Sequence, residues 1–333
     1  MSKIYEIKND FKIAMVAKAI TASRGTGSGS MLKIETVLRE FKELSGIKNL
    51  HNLNHDNIKN FYQYLQESGQ SNSNISNKVS YFGEVLAYAG KNEFKQTAKQ
   101  LDVSRRNDIY TYKGNSVKDI KTVQDYFKGI DKTEFTGLYH AQKLQEVAGL
   151  RMVESGGIKL LEKNIRDIEK GILAINGKND LSKNDRDRVV YLTKDEAKAV
   201  LEAREFLKEN NLKDIAASLT DSKITSWTAF AWRQLETLKK SGIIDSGYHN
   251  HGNRHSWANL KYETLWREKT GQDLESTAKS GLFGKEWISY VSMKTGFAQN
   301  EIKKIDGEIR QIVSQQLGHE RISITSAYLG KKA

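Results

Sequence analysis

Tyr328 stands nine positions after His319 in the run Leu317-Gly318-His319-Glu320-Arg321-Ile322-Ser323-Ile324-Thr325-Ser326-Ala327-Tyr328. A free phenol titrates near about 10 and is a poor nucleophile at neutral pH. To attack phosphorus it needs a base beside it and cations around the target. The chain offers both. Arg151 lies in Gly149-Leu150-Arg151-Met152-Val153-Glu154, and lysines occur at 178 and 183. A box of His251-Gly252-Asn253-Arg254-His255 follows. A guanidinium presents a fixed fork to two phosphate oxygens, and a helix start adds a field favourable to an anion. An imidazole titrates near neutrality and suits acid–base work.

Each residue also has a plainer reading. Arg151 alone would be a surface ion pair, Glu154 a solvated helix residue, and Lys178 or Lys183 a loop charge. His319 alone would decorate the end of a helix, and Tyr328 alone would pack. His249, His251 and His255 include a pair one helical turn apart, as metal ligands are, but no cysteine and no H-E-x-x-H glutamate accompany them. His255 is therefore read as a packed or supporting residue, and no metal or cofactor is expected. Nor is there a phosphate-binding glycine loop of the nucleotide-hydrolase type.

The elements that must position these groups are mainly helical. Glycine and asparagine punctuate the chain, because proline is absent. An apolar-periodic segment (Phe11, Ile13, Ala14, Ala17, Ile20) precedes a Gly/Ser run ending at Ser30, so residues 1–30 read as a short N-terminal segment and flexible linker. Three helical patterns follow, at about 31–44, 55–67 and 73–89. Their inward residues are Leu32, Val37, Leu38, Phe41; Ile58, Phe61, Tyr62, Leu65; and Ile75, Val79, Phe82, Val85, Leu86. Asn54 and Asn72 or Ser73 are plausible caps, and Gly46, Gly69 and Gly90 plausible stops. These patterns make 31–103 a helical domain. The polar, aperiodic stretch 104–117 reads as an interdomain linker, and 118–333 as a second domain. In it, 171–175 and 188–192 form a β-hairpin with a long charged loop. Helices are expected near 119–128, 133–148, 194–209, 223–240, 253–267, 284–294 and 300–316. The fold class is mainly α with a small antiparallel sheet.

Composition sets outer bounds. With 333 residues the chain can bury two cores, and 38% hydrophobic against 28% charged residues suits a globular protein. No apolar run has membrane-span length and there is no cysteine, which reads as intracellular. The net charge is +12, with 16 basic and 11 acidic residues in 1–110 and 37 and 30 beyond. Both parts are basic, as expected if both touch a polyanion.

The ordered set of Arg151 with Glu154, Lys183, His251-x-x-Arg254-His255, Leu317-Gly318-His319 and Tyr328 resembles the tyrosine recombinases, the phage-integrase family. By motif the resemblance covers roughly 120–330; residues 31–103 match only in general character, as a helical core DNA-binding domain beside a mixed α+β catalytic domain. It implies that Arg151 and Arg254 hold the scissile phosphate, His251 is an acid/base and His319 hydrogen-bonds the phosphate. Tyr328 would be the nucleophile, and a hairpin-loop lysine, Lys183 before Lys178, would protonate the departing 5′ oxygen. The implied activity is site-specific cleavage and rejoining of double-stranded DNA through a 3′-phosphotyrosyl link, by a cytoplasmic homotetramer on its recombination site. A mobile-element integrase, served by accessory DNA-bending or directionality proteins, fits this. Alternatives are a type IB-like topoisomerase, a non-catalytic DNA-binding protein on the same fold, and a metal-dependent nuclease. Two departures stand out. His251 and His319 are 68 residues apart, far more than is usual, which implies an insertion at about 262–305. Only five residues follow Tyr328, so protomer docking would fall to that insertion or to residues 1–22.

Overall fold

The computed structural model describes residues 4–25, 28–103, 112–178, 180, 186–319 and 321–331. The chain separates into two compact units, Met1–Asp108 and Ile109–Ala333.

The first unit is built from α1 (Asp10–Arg24), α2 (Ser28–Ser45), α3 (His55–Glu67) and α4 (Asn72–Tyr88). Its core gathers Ile13, Val16 and Ile20 of α1 with Phe41, Phe61 and Phe82, whose rings lie 4.5–5.3 Å apart. Such tilted and edge-on aromatic packing adds to the burial of apolar area. Residues 10–24 are therefore core helix of this unit and not a separate segment. The Gly/Ser run reads as linker, yet α2 begins within it at Ser28. Within α2, Ile34, Val37, Leu38 and Phe41 share the buried face, while Leu32, expected inward, is 61% exposed. The spacing 34, 37, 38, 41 is one helical stripe, and residue 32 falls outside it. Phe11 is likewise exposed. Asn54 caps α3 by accepting from the Asn57 amide, whereas α4 is capped one residue earlier than expected, by Ser71.

The second unit runs α5 (Val117–Lys128), α6 (Thr133–Ala148), α7 (Met152–Gly157), α8 (Ile165–Glu169), β1 (Ile172–Ile175), β2 (Arg188–Tyr191), α9 (Lys194–Glu209), α10 (Ile224–Lys240), α11 (Asn250–Thr270), α12 (Thr277–Ser280), α13 (Gly284–Thr295), α14 (Gln299–Gln316) and α15 (Ile322–Leu329). The two strands pair antiparallel, with Ile172 opposite Tyr191 and Ile175 opposite Arg188. Among the described residues no helix is long and apolar enough to cross a membrane.

Helix α6 carries a buried stripe (Leu138, Ala141, Leu144, Val147, Ala148) and packs against α5, α7, α9 and α11. Helix α11 begins at Asn250, three residues before the periodic pattern starts, so His251 sits in its first turn. Residues 112–116, expected as linker, are stitched to that helix start. Asn115 Nδ2 donates to the His249 carbonyl at 2.8 Å and to Asn253 Oδ1 at 2.6 Å. Asn253 Nδ2 in turn donates to Gln142 Oε1 of α6 at 2.7 Å. A buried amide network of this kind is favourable only when its members are satisfied, and it fixes the orientation of the helix it holds. The stretch 262–305 is the second half of α11, α12, α13 and the start of α14, with Trp266 and Trp287 fully buried and edge-on at 6.0 Å.

Candidate active site

Arg151 is the residue just before α7, and Glu154 closes that helix start. The Arg151 amide donates to Glu154 Oε2 at 2.7 Å, and Arg151 Nη1 meets Oε1 at 2.6 Å. The approach to this turn needs Gly149. Its φ is +61°, and a Cβ there would stand 2.5 Å from the Trp257 ring, so any side chain is excluded by conformation and by space.

Glu154 is almost fully buried and gathers guanidiniums from three parts of the chain. Besides Arg151, Arg188 of β2 donates to it at 2.7 and 3.1 Å, and Arg254 of α11 lies 3.8 Å away. Burial alone would push its carboxyl up, but Arg188, then Arg254 and Arg151, outweigh that and hold it down to about 2. Among the described residues, three guanidiniums thus converge on this one carboxylate. Burial of the Arg254 guanidinium pulls it down to about 10, which leaves it charged at neutral pH.

Arg254 is the hub. It is fully buried; Nη1 donates to the Gly149 carbonyl, Nη2 to the Leu317 carbonyl, and Nε to Tyr328 Oη at 3.3 Å. One side chain thereby joins the turn carrying Arg151, the end of α14 that presents His319, and the phenol of α15. Two of its nitrogens are spent on carbonyls, so in this state the side chain faces the site through Nε.

The Tyr328 phenol also lies 3.1 Å from His251 Nε2. The rings of His255, His319 and His251 stand 4.5, 5.4 and 5.5 Å from the tyrosine ring. Burial, then the Arg254 and Arg151 charges, lowers His251 to about 4 and His319 to about 3. His255 is lowered to about 3 by burial and then by His251 and His249. The His251 ring keeps part of its surface open to solvent, which screens these effects, whereas His255 is only 6% exposed. Neutral His251 is thus available as an acceptor for the phenolic proton. The Nδ1 atoms of His255 and His319 are buried and have no hydrogen-bond partner among the described residues.

The sequence-derived candidates Arg151, Glu154, His251, Arg254, His255, His319 and Tyr328 therefore converge. Lys178 is exposed in the hairpin loop and, among the described residues, makes no hydrogen bond or ion pair to the cluster. Lys183 lies outside the described residues. Among the described residues no group of histidines and carboxylates could hold a metal ion. Arg188 was not singled out from sequence. Its signal is its place in β2, where Arg188 and Val190 are buried while Val189 and Tyr191 face outward. An arginine at an inward strand position must have a counter-ion.

Buried histidines should make the unit acid-sensitive. His255 and His140 (about 4, by burial and then Lys128) are both lowered from 6.5. Below 6.5 the unfolded chain binds protons that the folded one refuses, so stability is complete above that value and falls as pH drops toward the folded pKa. Each imidazole contributes about 1.4 kcal/mol per pH unit, on the order of 3 kcal/mol by pH ~4. Urea midpoints should fall steeply between pH ~6.5 and ~4, and His140→Phe, which keeps the stack on Phe206, should flatten the fall. Equal slopes for the two proteins would contradict this.

Comparison with solved structures places the architecture. The lambda integrase dimer bound to a COC' core site aligns over 96% of this chain and 76% of that one, with TM-score 0.55 and 13% identity. The chain adopts the tyrosine-recombinase fold. A lambda integrase 75–356 dimer on the same core site gives TM-score 0.53 at 14% identity, covering 96% and 94%. A lambda integrase tetramer bound to a Holliday junction gives 0.52 at 14%, covering 83% and 78%. No family model and no curated protein matches this chain. At these identities the likeness concerns the integrase fold, and what the site does must be argued from its own geometry.

Proposed function

We propose that the protein is a site-specific DNA recombinase that cuts and rejoins strands through a tyrosyl ester. The observation that carries this reading is the Tyr328 hydroxyl held between His251 Nε2 at 3.1 Å and Arg254 Nε at 3.3 Å, beside the Arg151, Arg188 and Arg254 guanidiniums gathered on Glu154.

Tyr328 Oη attacks the phosphorus while neutral His251 accepts its proton. Arg151, which reaches the surface of the cluster, and Arg254 neutralise the oxygens as phosphorus becomes five-coordinate, and His319 donates a hydrogen bond to one of them. The 5′ oxygen leaves with a proton from a hairpin-loop lysine, Lys183 or Lys178, leaving a 3′-phosphotyrosyl link. Attack by a 5′ hydroxyl of a second strand reverses the step and returns the proton. The ester conserves the bond's free energy, so no nucleotide is consumed. Arg188 is assigned a supporting role, holding Glu154 against the two site arginines. A tetramer on double-stranded DNA and integration of a mobile element belong to this proposal, as do accessory DNA-bending proteins.

Nicked duplexes drawn from the DNA flanking the gene, incubated with the protein in EDTA, test the chemistry. An SDS-resistant, protease-sensitive protein–DNA adduct is expected. Cutting that needs added metal and leaves no adduct would overturn the proposal in favour of a nuclease, and binding without cutting would leave a DNA-binding module.

A further inference from the structure

The segment after Tyr328 is gripped by buried side chains that the proposed chemistry does not use. The last carbonyls of any helix lack partners within it. In α15 they find them elsewhere. Asn259 Nδ2 of α11 donates to the Tyr328 carbonyl at 3.0 Å, Thr277 Oγ1 donates to the Leu329 carbonyl, and Arg310 Nη1 of α14 donates to the Gly330 carbonyl at 2.8 Å. Thr277 Oγ1 in turn accepts from Arg310 Nη2 at 3.0 Å. Asn259, Thr277 and Arg310 are fully buried.

The socket is supported in depth. Arg310 Nε meets both oxygens of buried Asp306 at 2.8 and 2.9 Å, and Tyr262 Oη donates to the same carboxylate at 2.8 Å. Asn259 accepts from Ser276 at the start of α12 and also donates to the His255 carbonyl at 2.8 Å. Gly330 fits because its φ is +82° and a Cβ would stand 2.5 Å from Thr277 Oγ1. A buried, fully hydrogen-bonded network of this kind fixes one arrangement, whereas a half-satisfied one would be costly.

We infer that Asn259, Thr277 and Arg310 are positioning residues that hold the tyrosine-bearing segment against its own chain's His251 and Arg254. Asn259 binds the tyrosine from the helix that carries both of those groups, so phenol and acceptor share one frame. Thr277 and Asp306 come from the long stretch between His251 and His319. That extra length thereby acquires a role, because α12 and the middle of α14 build the socket. A misplacement of the phenol by about 1 Å is enough to cost on the order of 10²-fold in rate.

The inference rests on the proposed function, and the test separates the two. Thr277→Val keeps the shape and removes the hydroxyl, Thr277→Ser restores it, and Gly330→Ala attacks the same contact from the other side. At saturating nicked DNA, Thr277→Val and Gly330→Ala should form adduct at least about 10-fold more slowly with unchanged DNA affinity. Thr277→Ser should recover the wild-type rate. Amide exchange in residues 322–331 should accelerate in the two slow variants while the rest of the unit is unchanged. Wild-type rates with unchanged exchange would overturn the inference, as would parallel loss of rate, affinity and protection throughout the unit. If wild-type protein forms no adduct, the proposed function fails, and the exchange of 322–331 alone decides the socket.

Discussion

Tyr328→Phe should reduce covalent adduct formation to background, a loss of at least about 10³-fold, while leaving fold and DNA affinity near wild type. The selectivity follows from the contacts. The hydroxyl touches only His251 and Arg254 among the described side chains, and the ring packs on His255 and His319. Phenylalanine keeps the ring packing and removes the nucleophilic oxygen. Deleting one hydrogen-bonding hydroxyl of this kind costs about 1 kcal/mol, so the urea midpoint should move little. Adduct in the Phe variant would mean that another residue is the nucleophile.

Glu154→Ala should strongly destabilise the second unit. It removes the carboxylate that faces Arg188 and Arg254, of which the side chains are 2% and 0% exposed. Breaking a buried pair from one side costs about 3–5 kcal/mol, because the remaining charge is stranded in a medium that cannot solvate it. Activity should fall with stability, since Arg151 loses the partner that orients it. Arg188→Met introduced into Glu154→Ala should recover part of the loss, because the two side chains share one buried ion pair; additive losses would show that the pair is not coupled. The carboxylate also sets an acid limit. Its pKa is held at about 2 against 4.5, so its contribution is present above 4.5 and disappears as pH falls from there through about 2. A urea-denaturation series of wild type and the two variants reads all of this, and a loss below about 1 kcal/mol for Glu154→Ala would contradict it.

Much of the site was legible because its groups lie in motifs of fixed spacing. His251 and Arg254 share one helix turn, and His319 and Tyr328 flank a short connection, so local geometry already constrains them. What pairs Arg151 with Arg254 is tertiary: the shared carboxylate of Glu154 and a carbonyl at Gly149, neither of which leaves a periodic trace. Arg188 escaped attention because a strand of four residues is too short for alternation to stand out. The same limit applies to the socket around Arg310, where an i,i+4 Asp306–Arg310 pair reads like any solvated helix pair until its burial is known.

In the fold, helices with a clean apolar stripe such as α3 and α4 were legible, and the hairpin strands too. The first helix was harder. The Gly/Ser run after it has linker composition, but the apolar stripe of α1 needs a surface to bury against and finds it on α2. Composition reports what a segment tolerates, while the neighbouring core decides what it does. The hairpin-loop lysines stay undivided for a related reason: a polar, aperiodic loop carries no pattern from which one of two lysines can be chosen.

The most direct measurement is to trap the adduct on nicked DNA in EDTA, digest it with protease and nuclease, and locate the nucleotide by mass spectrometry. A 3′-nucleotide phosphate on the peptide carrying Tyr328 is the result expected. A modified residue elsewhere, or cleaved DNA with free phosphate ends and unmodified Tyr328, would contradict the account.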